Sequence, residues 1–320
     1  YRDVRKHHTL VEICKQPELA AEVTITAAEK LGVDAAIIFA DLLLPLEPMG
    51  LPFEFQAGEG PVIHEPVRTA EHVAALRTDR AGELDYVARA IQKVASHFRD
   101  RLGIIGFCGA PYTLASYMIE GGGSRNYIET KKMMYGAANG NAAGAAWGVL
   151  LDKLVTVLTE YCRQQVQAGA DVIQIFDSWV GSLALADYQQ YAFEPTKRLI
   201  RAVQQMGVPV IYFGVETAGL LGAMAETGAD VIGLDWRQPL DEGWRAVGQG
   251  CAVQGNLDPI TLFAPLEILE QRVKAILRAA NGRPGHIFNL GHGIVPGTPV
   301  ENVQAVVRMV REFRLEADRG

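Results

Sequence analysis

The sequence predicts an α/β chain built on a parallel sheet. Seven short, continuously apolar runs recur along it, most of the stretches between them carry helical marks, and each run closes on polar or turn-forming residues. The runs lie at 34–40, 103–107, 172–176, 208–213, 231–234, 251–254 and 286–289. Unbroken apolar runs of this length suit strands covered on both faces, as in parallel sheets, whereas a half-exposed strand alternates.

The helical segments follow from periodicity and end signals. Leu84, Val87, Ala88, Ile91, Val94, Ala95 and Phe98 keep the i, i+3, i+4, i+7 spacing of an amphipathic helix, with Gly103 read as lying just past its end. Pro17-Glu18-Leu19 opens another helix and Gly32 stops it. Helices are also expected over 150–167, ending near Gly169, and over 265–278. Strands alternating with helices make βα units.

The common closed parallel barrel has eight strands. The chain opens at Tyr1-Arg2-Asp3, so the expectation is a single (β/α)8 TIM barrel whose first strand lies upstream of residue 1. An open doubly wound sheet fits less well: no G-x-G-x-x-G follows any run, Gly291, Gly293 and Gly297 have the wrong spacing, and no phosphate-binding G-x-x-x-x-G-K-[ST] occurs. With no repeat, low-complexity tract or linker, one catalytic domain over 1–320 is expected.

Composition narrows the function classes. Hydrophobic residues make up 49% and charged residues 21%, enough for a large core and incompatible with wholesale disorder. A net charge of −7 argues against a broad basic face for nucleic acid, although a cleft with its own local charges can still take an anionic small molecule. No stretch reads as a membrane-spanning helix, which needs about 20 apolar residues. The four cysteines, Cys14, Cys108, Cys162 and Cys251, are dispersed without a C-x-x-C, so neither a disulfide framework nor a zinc site is expected and a reducing cytoplasm is the default.

Barrel enzymes carry their chemistry at the C-terminal ends of strands. Those ends supply Asp41, Phe107, Asp177-Ser178, Gly214 with Glu216, Asp235-Trp236, Gln254 with Asn256, and Asn289 with His292. Parallel strands end in polar residues whatever their function, so position alone decides little. Asp41 stands out because it interrupts Ile37-Ile38-Phe39-Ala40 and Leu42-Leu43-Leu44. It reads either as a loop aspartate capping a short turn or as a fixed negative charge facing a ligand. His292, between two glycines, could project into the barrel mouth or be an ordinary hydrogen-bonded histidine, and His286 belongs to the opposite end. Gly121-Gly122-Gly123-Ser124 reads as an anion-binding turn or a plain loop, and Tyr127, Met133 and Met134 as packing. No H-x-C or H-E-x-x-H supports a catalytic metal.

Five ordered motifs resemble the uroporphyrinogen decarboxylase family over nearly the whole chain. They are Ile38-Phe39-Ala40-Asp41-Leu42-Leu43, then Gly106-Phe107-Cys108-Gly109-Ala110-Pro111-Tyr112-Thr113-Leu114 with its continuation Tyr117-Met118-Ile119-Glu120-Gly121-Gly122-Gly123-Ser124. Phe176-Asp177-Ser178-Trp179-Val180-Gly181, Gln254-Gly255-Asn256-Leu257-Asp258-Pro259 and Asn289-Leu290-Gly291-His292-Gly293 follow. The resemblance implies a cytoplasmic, homodimeric barrel that needs no metal or organic cofactor and converts the four acetate side chains of uroporphyrinogen III to methyls, giving coproporphyrinogen III and CO2. It assigns Asp41 to the pyrrole N–H groups and to stabilising a cationic intermediate. Tyr117 and Ser178 go to substrate carboxylates, His292 to a propionate and Phe107 to the macrocycle face. Asp41 and Tyr117 are the catalytic assignments.

The family also carries an Arg-Gln-Ala-Gly-Arg segment, which the resemblance places upstream of Tyr1 with the first strand. A protein lacking it is expected to have little or no activity, and Arg2 and Arg5 receive no role. Ala40 and Trp179 are smaller departures from the family pattern, and Trp179 could alter the pocket rim. Two other readings are a zinc-dependent methyltransferase working with a corrinoid protein, disfavoured by the missing His and Cys ligands, and a tetrapyrrole-binding barrel without catalysis.

Overall fold

The computed structural model describes residues 2–56, 60–138 and 142–315. Its sheet contains seven parallel strands: β1 (Ala35–Ile37), β4 (Gly103–Gly109), β5 (Val172–Asp177), β6 (Val210–Gly214), β7 (Val231–Gly233), β8 (Ala252–Leu257) and β9 (His286–Leu290), hydrogen-bonded in that order. A small antiparallel hairpin, β2 (Glu54–Gln56) with β3 (Gly60–Val62), sits after β1. Every expected apolar run forms a strand, and consecutive runs are neighbours, as βα units require.

The sheet curls, and among the described residues nothing pairs with the outer edges of β1 and β9. Ile37 and Ile287, one on each edge strand, are each 43% exposed, unlike the apolar residues of the strands between them. Helices cover the convex face and form the main core with it. A second, smaller core lies where the helices Leu266–Ala280 and Val300–Glu312 pack beside Phe288 and Leu290 of β9.

Two ends differ from expectation for local reasons. The helix Asp85–Phe98 stops because Arg99 and Asp100 take left-handed backbone (φ 38° and 67°), while Gly103 already begins β4. The helix Pro17–Leu31 ends as expected on left-handed Gly32 (φ 68°). The first strand is shorter than its run, because Thr24 interrupts its ladder. The Phe39 N–H donates to Thr24 Oγ1 (2.9 Å), and the Thr24 hydroxyl donates to the Ala20 carbonyl (2.8 Å).

Beyond Ile38, β4 therefore has no strand partner on its β1 side among the described residues. Gln165, fully buried on the helix Ala142–Gln167, takes that place: its Oε1 accepts from the Phe107 N–H (2.8 Å) and its Nε2 donates to the Phe107 carbonyl (2.9 Å). The preceding Gly106 makes room, since a Cβ there would lie 2.7 Å from Gln165 Oε1. Main-chain groups buried without partners are costly. Gln165→Ala strips both from Phe107, so it is expected to lower the free energy of unfolding by about 3 kcal/mol in urea titration, with unchanged stability refuting the clamp.

Candidate active site

The site forms where strands β1, β4 and β5 deliver their chain into loops. Asp41 follows β1 and is mounted on a tight apolar segment in which Leu43, Leu44, Leu46 and Met49 are buried. Its Oδ1 accepts the Leu43 N–H (2.8 Å), so the turn-capping contact exists, but it uses one oxygen only. No Lys or Arg among the described residues pairs with this carboxyl, and burial pushes its pKa up against that single lowering hydrogen bond.

Three acids stand within electrostatic reach of Asp41. Tyr117, on the helix Pro111–Glu120, has its hydroxyl pushed up to about 12, first by burial and then by the Asp41 charge. The same two causes raise the Cys14 thiol to about 12, and Tyr86 is raised as well. All three are neutral donors at neutral pH, and Asp41 is the one carboxyl in the group.

The helix carrying Tyr117 is fixed at its start, where Pro111 occupies the first turn and the Ala110 N–H donates to the Phe176 carbonyl (2.8 Å). Tyr117 stacks on Trp179 with centroids 3.7 Å apart and planes tilted by 32°. Tyr127 meets the same indole edge-on at 5.1 Å. Ser178, just before Trp179, is partly buried and its hydroxyl has no partner among the described residues. Phe107 is buried and meets Phe176 edge to face at 5.5 Å, and Phe176 in turn meets Phe213 at 6.0 Å. These rings make an aromatic row across three neighbouring strands.

His292 stands apart. It follows β9 at the opposite margin of the curl, is exposed, and rests its ring edge-on against Trp236 at 6.1 Å. Gly291 permits that approach, since a Cβ there would lie 2.5 Å from the Trp236 nitrogen. Asp41, Tyr117, Phe107 and Ser178 thus belong to the C-terminal ends of β1, β4 and β5, while His292 follows β9, the last strand in the order. His286 lies at the start of β9, at the other end of the strand, and its Nε2–H donates to the Gly255 carbonyl (2.9 Å).

Several other polar strand ends are consumed in tying loops together. Asp235 accepts from the Glu216 N–H (2.6 Å), the Arg237 N–H (2.9 Å) and Arg237 Nη1 (3.1 Å). Asn256 Nδ2 donates to the carbonyls of Asp235 (2.9 Å) and Gln238 (2.7 Å). Arg237 also reaches Glu216 (3.1 Å) and covers the Trp236 ring at 4.1 Å, a basic group near His292 that no motif had singled out. Gly121 and Gly122 serve the backbone: Gly121 caps the helix at φ 86°, and a Cβ on Gly122 would lie 2.8 Å from the Pro61 carbonyl of the hairpin. Among the described residues no group of three or more His, Cys, Asp or Glu could hold a metal, and no helix is long and apolar enough to cross a membrane.

The sequence matches the uroporphyrinogen decarboxylase (URO-D) family over residues 1–313. Curated relatives agree: the uroporphyrinogen decarboxylase of Koribacter versatilis is 62% identical over 98% of this chain and 88% of its own, and that of Solibacter usitatus is 51% identical over 98% and 89%. The chain belongs to the uroporphyrinogen decarboxylase family. Among solved structures, a methyltransferase from Methanosarcina mazei superposes with a TM-score of 0.80 over 94% of this chain and 87% of its own. At 23% identity that likeness shows the fold, a TIM-barrel-like α/β architecture, and says nothing about methyl transfer here.

Within this family site, one ionisable group is wholly enclosed. Asp177, the last residue of β5, accepts from Thr113 Oγ1 (2.7 Å) and Tyr212 Oη (2.8 Å), yet burial outweighs both bonds and raises its pKa from 3.8 to about 6. Between those values the folded state holds a proton that the unfolded chain has released. The group's contribution to stability is therefore full below pH 3.8 and is lost as pH rises through about 6. The difference in unfolding free energy, wild type minus Asp177→Asn, is expected to fall by up to about 3 kcal/mol across this window. A pH-independent difference would show that the carboxyl titrates normally.

Proposed function

We infer that the protein removes CO2 from the acetate side chains of uroporphyrinogen, leaving methyl groups and giving coproporphyrinogen, with Asp41 as the central group. The observation that carries this reading is a largely buried carboxyl with one oxygen held by the Leu43 N–H and no Lys or Arg paired with it among the described residues. Such a group gains most when a positive charge appears next to it.

The chemistry calls for that charge. A pyrrole acetate has no neighbouring carbonyl to accept the electrons of the breaking C–C bond. Protonation of the ring carbon next to the one that bears the acetate gives a pyrrolium, conjugated to the acetate-bearing carbon, which takes those electrons as CO2 departs. The exocyclic methylene left behind is then protonated to a methyl and the ring proton is lost, so one proton is consumed per CO2. Asp41 accepts from the pyrrole N–H groups and stabilises the cation as it forms, the counterpart of an oxyanion hole with its sign reversed. Binding several N–H groups on one carboxylate requires the macrocycle to pucker around it, so Asp41 orients the substrate as well.

The surrounding residues supply recognition. The aromatic row of Phe107, Phe176 and Phe213 gives a water-excluding wall for the macrocycle. Tyr117, kept protonated by its raised pKa, and Ser178 donate to substrate carboxylates. His292, after β9 and against Trp236, meets a propionate. The chain acts as one barrel domain over 1–320, as a cytoplasmic homodimer, on a small molecule and without nucleic acid or membrane.

Anaerobic incubation with uroporphyrinogen, followed by oxidation and chromatography, is expected to give the hepta- through tetracarboxylate series, and failure to form any of them overturns the reading. Asp41→Gly should lower kcat by about 100-fold or more, with Asp41→Glu less damaged because it keeps the charge and shifts only its reach. Full turnover in the glycine variant removes Asp41 from the mechanism. Tyr117→Phe, which deletes one donor to a charged group, should lower kcat/KM by about 10-fold, and an unchanged value refutes its role.

A further inference from the structure

Thr113 and Tyr117 lie one turn apart on the same face of the helix Pro111–Glu120, and both engage the residue that follows Ser178. Thr113 Oγ1 accepts the Trp179 N–H (3.2 Å), while Tyr117 stacks on the Trp179 indole at 3.7 Å. The Thr113 hydroxyl is itself fully buried, and its proton goes to Asp177 Oδ1 (2.7 Å). The other Asp177 oxygen takes the Tyr212 hydroxyl (2.8 Å), and the π-turn Tyr188–Ala192 brings the Tyr188 hydroxyl to 3.4 Å from that of Tyr212.

The direction of each bond follows. An ionised Asp177 only accepts, so Thr113 and Tyr212 must both donate to it. That leaves a Thr113 lone pair for the Trp179 amide, which in turn sets the height of the indole over Tyr117. Stability does not account for this arrangement. A fully buried carboxyl is unfavourable to fold around, and apolar replacements of buried charged groups are often neutral or stabilising. What the network reaches is an aromatic stack beside Asp41.

We propose that Thr113 and Asp177 are positioning residues that fix Trp179, and through it Tyr117, at the required attitude to Asp41. The proposal rests on the site reading above, in which Tyr117 works beside Asp41. The Trp179 that departs from the family pattern is, on this account, the part that transmits the restraint.

The test is Thr113→Val, which keeps the branched shape and deletes the hydroxyl, with Thr113→Ser restoring it. Near-UV circular dichroism of the substrate-free protein reads the Tyr117–Trp179 stack, the band being assigned by its loss in Trp179→Phe. Thr113→Val is expected to weaken that band and to lower kcat about tenfold with KM changed less than about twofold, and Thr113→Ser to recover both. A Thr113→Val protein that keeps the band, or loses it with kcat unchanged, overturns the proposal. Should Thr113→Val not fold, Asp177→Asn, which turns an amide donor toward these hydroxyls, serves instead: a lowered kcat with a weakened band supports the link and full activity overturns it. Tyr117→Phe assayed in parallel separates the two failures. A fully active Tyr117→Phe defeats the site reading, whereas the substrate-free band reports on positioning alone.

Discussion

A largely buried carboxyl is the constraint around which the mouth of this barrel is organised. Asp41 is largely buried, gains one backbone hydrogen bond from Leu43, and meets no guanidinium or ammonium among the described residues. In most proteins such a group would be paired or protonated. Here its neighbours Cys14, Tyr86 and Tyr117 are all weak acids pushed further toward their neutral forms. The site is therefore polarised toward a positive charge, with no cation paired to the carboxyl among the described residues.

The scaffold holds this unfavourable group in place by ordinary means. The buried leucines after β1 keep the turn from rearranging to expose the carboxyl. On the facing strands, aromatic rings from β4, β5 and β6 leave little room for water. The loops after β6, β7 and β8 are bound to one another through Asp235, Arg237 and Asn256, so the polar groups at these strand ends serve the frame of the mouth. The same residue types in the same strand-end positions thus divide between chemistry and masonry, and only their partners tell which is which.

That division explains what could be read in the sequence. All seven strands were legible, because continuous apolar runs bracketed by helices admit few other readings. The hairpin at Glu54–Gln56 and Gly60–Val62 was not, since its short strands carry no alternating pattern and its first strand is wholly exposed. The helix Pro111–Glu120 is buried nearly all round and so shows no polar face to mark it. Arg99 ends its helix in a conformation usually left to glycine, which no composition rule anticipates. Within the site, Asp41 announced itself by interrupting an apolar run. Thr113 and Arg237 did not, because their significance lies in contacts with residues distant in the chain or in the loop packing around them.

Gln165 has a mechanical effect on the carboxylate it never touches. By satisfying the main chain of Phe107, it frees the end of β1 from the sheet. From Phe39 onward, the segment leading to Asp41 is tethered by the Thr24 hydroxyl and not by a ladder shared with β4. The carboxyl is therefore anchored through a side chain of the helix Pro17–Leu31 and through the buried leucines that follow it, and not through a rung shared with β4.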